Sequence, residues 1–88
     1  MKVESLRQQA IVLDKALLIF EERNRIRGDL WRESGPQRNI DMAKQKLARL
    51  ERSLELGNGK PIDEEAFLDD ALDCINFTAF VIRHFTDA

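Results

Sequence analysis

The sequence predicts an all-α fold, a three-helix domain with a long loop between helices 1 and 2 that assembles as a helical oligomer. Three segments carry apolar residues at the spacing of a helix face, and glycine and proline separate these segments at 27–38 and 57–61. With 88 residues, the chain is a single domain, residues 1–88. Because a lone three-helix core of this size supplies only about 3–5 kcal/mol, wide apolar faces indicate homo-oligomerisation.

The first helix is predicted near residues 4–26. Ser5 and Gln8 have the spacing of a capping box at its start. Ile11 and Leu18 add apolar surface beside the main stripe, which indicates burial both within the domain and against another subunit. The main stripe has heptad-like spacing and consists of Leu6, Ala10, Leu13, Leu17 and Phe20.

Residues 27–38 are predicted to form the long loop, because they contain two glycines and a proline. Loops of about a dozen residues are uncommon in small domains and are often functional. This segment carries the only tryptophan, Trp31, together with Arg27, Arg32 and Arg38. An aromatic ring among guanidinium groups can stack on a base and bind phosphate. The alternative is that Trp31 covers the hydrophobic core from the loop.

The second helix is predicted near residues 39–57, with Asn39 as its N-cap. Lys46 and Arg49 lie on one side of its narrow apolar stripe, where they either direct their charges into a cleft or only solvate the helix. The glycines at 57–59 and the following proline end this helix.

The third helix is predicted near residues 63–86, antiparallel to the second, with the first helix packed across both. Asp63 is the expected N-cap. This helix combines the most apolar run of the chain with its densest acidic cluster. The cluster is either a solvated face or a metal site, and it contains Asp69, Asp70, Asp73 and Asn76.

Charge is distributed unevenly along the chain. The net charge of −2 divides into −1 over residues 1–22, +5 over 23–60 and −6 over 61–88. Either the basic and acidic segments pair as antiparallel helices, or the basic segment binds a phosphate-bearing ligand beside carboxylates that hold a divalent cation. Nucleic acid is not an expected partner, because the overall balance is acidic.

The sequence shows neither a membrane span nor a secretory signal, so a cytoplasmic location is expected. The single cysteine, Cys74, lies at a core-facing position of the third helix and is interpreted as a small buried apolar group. The single histidine, His84, lacks the partners of a zinc site.

Three short motifs occur in order: Arg-Gly-Asp-Leu-Trp-Arg at 27–32, Lys-Leu-Ala-Arg at 46–49, and Asp-Ala-Leu-Asp-Cys-Ile-Asn-Phe at 70–77. Together they resemble the small nucleotide-modification-associated domains encoded largely by bacteriophages and prophages. Arg27 stands where that family has an aromatic residue, and Phe77 replaces its tyrosine. The resemblance spans 22–85 and implies an all-α fold, a link to nucleotides, and the cytoplasm of an infected or lysogenic bacterial host.

The acidic helix also has a weaker similarity to the MazG-like nucleoside triphosphate pyrophosphatases, which hold Mg²⁺ with several carboxylates. The nearest equivalents here are Glu21 or Glu22, together with Asp70 and Asp73. Residues three apart on a helix are neighbours, so Asp70 and Asp73 have the spacing to share one cation. This similarity implies Mg²⁺ as cofactor and hydrolysis of a phosphate anhydride as the reaction.

Three functions follow as hypotheses. The first is a nucleotide-binding protein that sequesters a nucleotide signal of host defence, and the second is a Mg²⁺-dependent nucleotide pyrophosphohydrolase. The third is a structural or interaction oligomer whose charges only pair or meet solvent. In the first hypothesis the nucleotide-binding residues are Arg27, Trp31, Arg32, Lys46 and Arg49; in the second the metal ligands are Glu22, Asp70 and Asp73.

Overall fold

The computed structural model describes residues 3–28 and 30–86, which form three α-helices and no strand. They are α1 (Val3–Arg27), α2 (Leu30–Leu56) and α3 (Glu64–Thr86). The predicted all-α class and the number of helices are therefore confirmed for the described part of the chain. None of these helices has the apolar length that a membrane span requires.

The predicted long loop between the first two helices is wrong. Residues 30–34 are already helical, and α2 continues to Leu56 across a kink at Gly35. Gly35 has φ 79° and ψ 167°, a backbone conformation that is essentially restricted to glycine. Pro36 then begins the longer part of α2, where a missing backbone N–H costs little. The glycine and proline thus mark a kink inside a helix.

The end of α2 and the start of α3 follow the predicted capping signals. The Gly59 backbone N–H donates to the Leu54 carbonyl at 2.8 Å, and Gly59 has φ 93°. The backbone N–H of Ala66 donates to Asp63 Oδ1 at 3.1 Å, which confirms Asp63 as the N-cap of α3. The turn is tied to α2 by the Ile62 N–H, which donates to Ser53 Oγ at 3.1 Å.

Helices α2 and α3 share the largest interface, and α1 packs mainly against α3. Contacts of Asn39 with His84 and of Lys46 with Asp70 show that α2 and α3 run antiparallel, as predicted. The buried apolar residues are few, namely Ala16, Trp31 and Ala43. This small core is extended by partly buried phenylalanine rings between α1 and α3.

Most of the apolar surface of α1 remains exposed in the single chain. Ala16 is the one described α1 residue that is buried. The exposed large apolar residues of this helix are Val3, Leu6, Ile11, Val12, Leu13, Leu17, Leu18 and Ile26. Contiguous apolar surface of this extent is typical of interaction sites.

Candidate functional site

The acidic face of α3 is buried against basic side chains of α2 and α1. Asp70 and Asp73 are 8% and 4% exposed. Lys46 Nζ lies 3.4 Å from Asp70 Oδ1 and 3.3 Å from Asp73 Oδ2. Arg49 Nε lies 3.1 Å from Asp70 Oδ2, and Arg23 Nη1 lies 3.3 Å from Asp73 Oδ2. The alternative in which the basic and acidic segments pair as antiparallel helices is therefore confirmed.

Whether Mg²⁺ fits the predicted carboxylates depends on the ion pairs that these carboxylates already make. Asp70 and Asp73 supply oxygen ligands of the right kind, but the Lys46 ammonium already lies within 3.4 Å of both. Glu22 is exposed on α1, and residues 3–28 and 30–86 contain no group of three or more metal-ligating His, Cys, Asp or Glu side chains. The pair does not fit Mg²⁺ while Lys46 remains between its members. The metal role of these three carboxylates stays a prediction.

Cys74 lies on α3 beside the same network. Its thiol donates a hydrogen bond to the Ala43 carbonyl at 3.6 Å. Burial raises the pKa of the Cys74 thiol above its ordinary value of 9.0, and the nearby Asp70 and Asp73 carboxylates raise it further, against the effect of Lys46. A thiol that stays protonated at neutral pH is a poor nucleophile, which agrees with the interpretation of Cys74 as a small packing group.

A cavity of about 310 Å³ opens between α1, the kinked start of α2, and α3. One part of its wall is aromatic and is formed by Phe20, Trp31, Phe77 and Phe80. The polar part of the wall includes Arg23, Arg27, Arg38, Asn39, Asp73 and Asn76. Ring surfaces next to guanidinium and amide groups suit a ligand that has both a planar ring and a negative charge.

Trp31 is the centre of the aromatic wall and is only 8% exposed. Its ring stacks on Phe80 with centroids 4.8 Å apart, and His84 meets it edge-on at 5.2 Å. The guanidinium carbons of Arg83 and Arg32 lie 4.4 Å and 5.3 Å from its centroid. Trp31 therefore packs into the core, as one alternative predicted, and it does so from a helical turn of α2.

The indole nitrogen of Trp31 is left without a hydrogen-bond partner. Among buried side-chain nitrogen and oxygen atoms of the described residues, Trp31 Nε1 is the one for which no partner is found. An unsatisfied buried donor costs about 1–3 kcal/mol. Most buried polar groups are paired, and exceptions cluster at functional sites or at atoms that an unseen partner satisfies. This donor belongs to a side chain that also lines the cavity.

Asn39 holds the turn that carries Trp31. It is 2% exposed, and its side-chain amide donates to the Trp31 carbonyl at 3.1 Å and to the Gly35 carbonyl at 3.0 Å. The same nitrogen lies 3.1 Å from His84 Nε2 on α3. The prediction of Asn39 as an N-cap is wrong, since α2 starts at Leu30, but the residue still supplies bonds to backbone groups at the kink.

Two polar contacts fix α1 on α3 at the wall of the cavity. The Asn76 side-chain amide donates to the Ala16 carbonyl at 2.9 Å. One turn further along α1, Phe20 meets Phe80 edge-on with centroids 5.5 Å apart, and two turns further Arg23 pairs with Asp73. The sequence had placed Asn76 on the acidic face but gave no role to Arg23 or Phe80.

Arg27 and Arg38 are the two cavity arginines whose charges remain available. Neither makes an ion pair with any residue that the structure describes. The nearby ion pairs join three cationic side chains to two carboxylates. Their net charge is positive, so they do not cancel the charges of Arg27 and Arg38. The cavity as a whole is therefore electropositive and favours an anion.

The predicted nucleotide-binding residues fall into two groups. Arg27 and Trp31 line the cavity, and Arg32 lies over the ring of Trp31. Lys46 and Arg49 do not line it, because both are engaged by Asp70. Their link to the cavity is indirect and runs through Asp73, which contacts Lys46 and forms part of the wall.

The chain matches no protein-family model, and it finds no match among curated proteins or solved structures. The resemblance to nucleotide-modification-associated domains therefore stays a prediction from three motifs. In the fold, the first motif joins α1 to α2, with Asp29 outside the described residues, and the other two face each other across the α2–α3 interface.

Proposed function

We propose that this protein binds a small anionic molecule with a planar ring, a nucleotide, in the cavity between α1, the kink of α2, and α3. The observation that carries the proposal is the combination of an aromatic wall with two arginines that make no ion pair with the described residues. Arg27 and Arg38 bind the phosphate through charge-assisted hydrogen bonds. The ring of the ligand packs on the aromatic wall.

The two sides of Trp31 are already engaged by Phe80 and by guanidinium groups, so its contribution to the ligand comes from the ring edge. Phe77 and Phe20 supply the remaining apolar surface. Lys46 and Arg49 act indirectly in this proposal. They neutralise the buried carboxylates, which keeps Asp73 from repelling the phosphate at the cavity wall.

The size of the cavity favours a mononucleotide. Its volume of about 310 Å³ lies at the lower end of the range for small-molecule sites, roughly 300–1,000 Å³. The proposed role is retention of the intact nucleotide, as a phage protein would sequester a defence signal in the cytoplasm of its host. Self-association is part of the proposal, and the exposed apolar residues of α1 support it.

A Mg²⁺-dependent pyrophosphohydrolase is the second candidate, because Asp73 reaches the same cavity and Asp70 lies one turn away. In that case the metal has to take the place of the Lys46 ammonium between the two carboxylates. The two candidates differ in whether the nucleotide leaves the protein intact or as products.

Binding is tested by titrating the protein with nucleoside mono- and triphosphates, with and without Mg²⁺, while following the fluorescence of Trp31. We expect saturable binding that Arg27→Gln and Arg38→Gln each weaken by about tenfold or more. Arg25→Gln is the matched control, because Arg25 is an exposed α1 arginine that does not line the cavity. Equal affinity in all three variants would exclude the proposed phosphate contacts. Chromatography of the nucleotide recovered from the protein separates the two candidates. Products that form only with Mg²⁺ would favour the hydrolase.

A further inference from the structure

The exposed apolar residues of α1 include a continuous stripe with the spacing of a coiled-coil seam. Successive members are three, four, three and four residues apart, which is the a/d pattern of a heptad repeat. We define the α1 seam as Val3, Leu6, Ala10, Leu13 and Leu17. All five are exposed, and Leu6 and Leu17 are each 59% exposed. At 1.5 Å per residue the seam is about 21 Å long.

The residues on the two flanks of the α1 seam differ in charge and in exposure. Among the described residues of one flank, Gln9 and Ala16 carry no charge, and Ala16 is 1% exposed because the rest of the chain covers it. On the other flank, Arg7, Asp14 and Glu21 follow one another at seven-residue spacing and are all exposed. A second helix therefore has open access along the charged flank, whereas on the neutral flank Gln9 is exposed and Ala16 is already covered by the rest of the chain.

The charges of the open flank define the occupant and its direction. In a parallel pair the charged flank of one helix faces the neutral flank of the other, so no ion pair forms. In an antiparallel pair of identical helices the charged flanks face each other. When Leu6 packs on Leu17 of the second copy, Arg7 comes next to the oppositely charged Asp14 of that copy. The same contact recurs by symmetry, as an isologous dimer requires.

We propose that the α1 seam is covered by α1 of a second copy of this chain, antiparallel, with Arg7 of each copy paired with Asp14 of the other. This inference rests on the self-association in the proposed function and deepens it. It is independent of nucleotide binding, because the seam residues do not line the cavity.

Sedimentation equilibrium of the full chain at several concentrations tests whether the α1 seam is the dimer interface. We expect a wild-type dimer whose dissociation constant rises by about tenfold or more in Leu13→Gln and in Leu17→Gln. Leu18→Gln is the matched control, since Leu18 is 66% exposed on the same helix but lies off the seam. Circular dichroism confirms that each variant keeps its helices.

Charge reversal tests whether the two α1 helices run antiparallel. Arg7→Glu should weaken the dimer, and Arg7→Glu combined with Asp14→Lys should restore it to within about threefold of the wild type. A wild-type monomer at all concentrations would overturn both self-association and the seam. A dimer that only Leu18→Gln disrupts would overturn the seam alone, and failure of the double reversal to restore the dimer would overturn the antiparallel pairing.

Discussion

The buried amide of Asn39 faces two backbone carbonyls at the kink, those of Trp31 and Gly35. At this kink Pro36 has no N–H to continue the helical ladder and Gly35 leaves the helical conformation, and side chains supply further donors to nearby carbonyls. Ser34 Oγ contributes in the same way by donating to the Leu30 carbonyl at 3.0 Å. The position of Trp31 thus depends on one amide that connects the kink to His84 of α3.

Replacing Asn39 with Ala should lower the free energy of unfolding by about 2 kcal/mol, because it leaves buried carbonyls without donors. Gln45→Ala, at an exposed amide of the same helix, should change it by less than about 0.5 kcal/mol. Urea denaturation measures both. Asn39→Asp is the stricter comparison, because it keeps the shape but removes the donor. Wild-type stability in Asn39→Asp would show that the two bonds do not matter.

Cys74 gives a prediction for alkaline pH. Its pKa is raised in the folded chain, so the unfolded chain loses the thiol proton first as the pH passes 9.0. Stability should therefore be full below pH 9.0 and fall as the pH rises towards the pKa of the folded state. Urea denaturation of the wild type and of Cys74→Ala between about pH 8 and about pH 10 isolates this contribution. An identical pH dependence in the two proteins would contradict it.

At the scale of elements, the glycine and proline of α2 have the largest structural effect. Within α2, Gly35 takes a conformation that other residues adopt at a cost of about 1–3 kcal/mol, although a Cβ there would meet nothing within 4 Å. The cost is therefore conformational. Gly35→Ala should destabilise the protein within that range and disturb the stacking of Trp31 on Phe80, which near-ultraviolet circular dichroism reports.

Pro36→Ala is the comparison for the kink, because many residues fit the first turn of a helix and the change should cost less than about 1 kcal/mol. Equal effects of the two substitutions would show that proline sets the kink as much as glycine does.

The interface of α2 with α3 contains one lysine and two carboxylates that are largely shielded from water. The Lys46 side chain is 17% exposed and contacts two buried carboxylates. Lys46→Ala should lower the free energy of unfolding by about 3 kcal/mol, because it leaves these carboxylates with one arginine each. Lys44→Ala, at an exposed lysine two residues away, should cost less than about 0.5 kcal/mol in the same denaturation experiment. A similar loss in both would mean that the network is no stronger than a surface contact.

The helix ends that were predicted well are those with local signals in the sequence. Asp63 caps α3 and the glycines at 57–59 end α2, and both signals act within a few residues. The segment 27–38 was predicted wrongly as a loop because a glycine followed by a proline marks a kink and a loop equally well. Contacts with distant residues, such as the packing of Trp31 on Phe80, go with the kink in the folded chain, and no local signal reports them.

The candidate site could also be predicted only in part, because its contacts join residues that are far apart in the sequence. The sequence placed Lys46 and Arg49 on one side of α2 and Asp70 and Asp73 on one face of α3, and it left open whether they pair. The answer depends on the register of the two helices, which no local signal sets. Arg38 was noted near Trp31 but not chosen as a ligand contact, and only the folded chain brings it and Arg27 to the wall of one cavity.

At the scale of the whole molecule, the cavity and the α1 seam lie on different parts of the fold. The cavity uses the half of α1 that packs on α3, whereas the seam uses the exposed stripe towards its N-terminus. Dimerisation through the seam therefore leaves Arg27 and Arg38 available to a ligand. We expect Leu17→Gln to weaken the dimer without changing nucleotide affinity, which fluorescence titration and sedimentation measure on the same sample. A joint loss of both properties would show that the site spans two subunits.

Because the chain has a single tryptophan, nucleotide binding in the cavity can be tested at one atom. In a ¹⁵N-labelled sample, Trp31 gives one indole N–H signal, and this donor has no partner among the described residues. We predict that a nucleoside monophosphate or triphosphate shifts this signal saturably, and that the same nucleoside without phosphate shifts it far less. An indole signal that no nucleotide moves, or that moves equally without phosphate, would contradict binding of a nucleotide through Arg27 and Arg38.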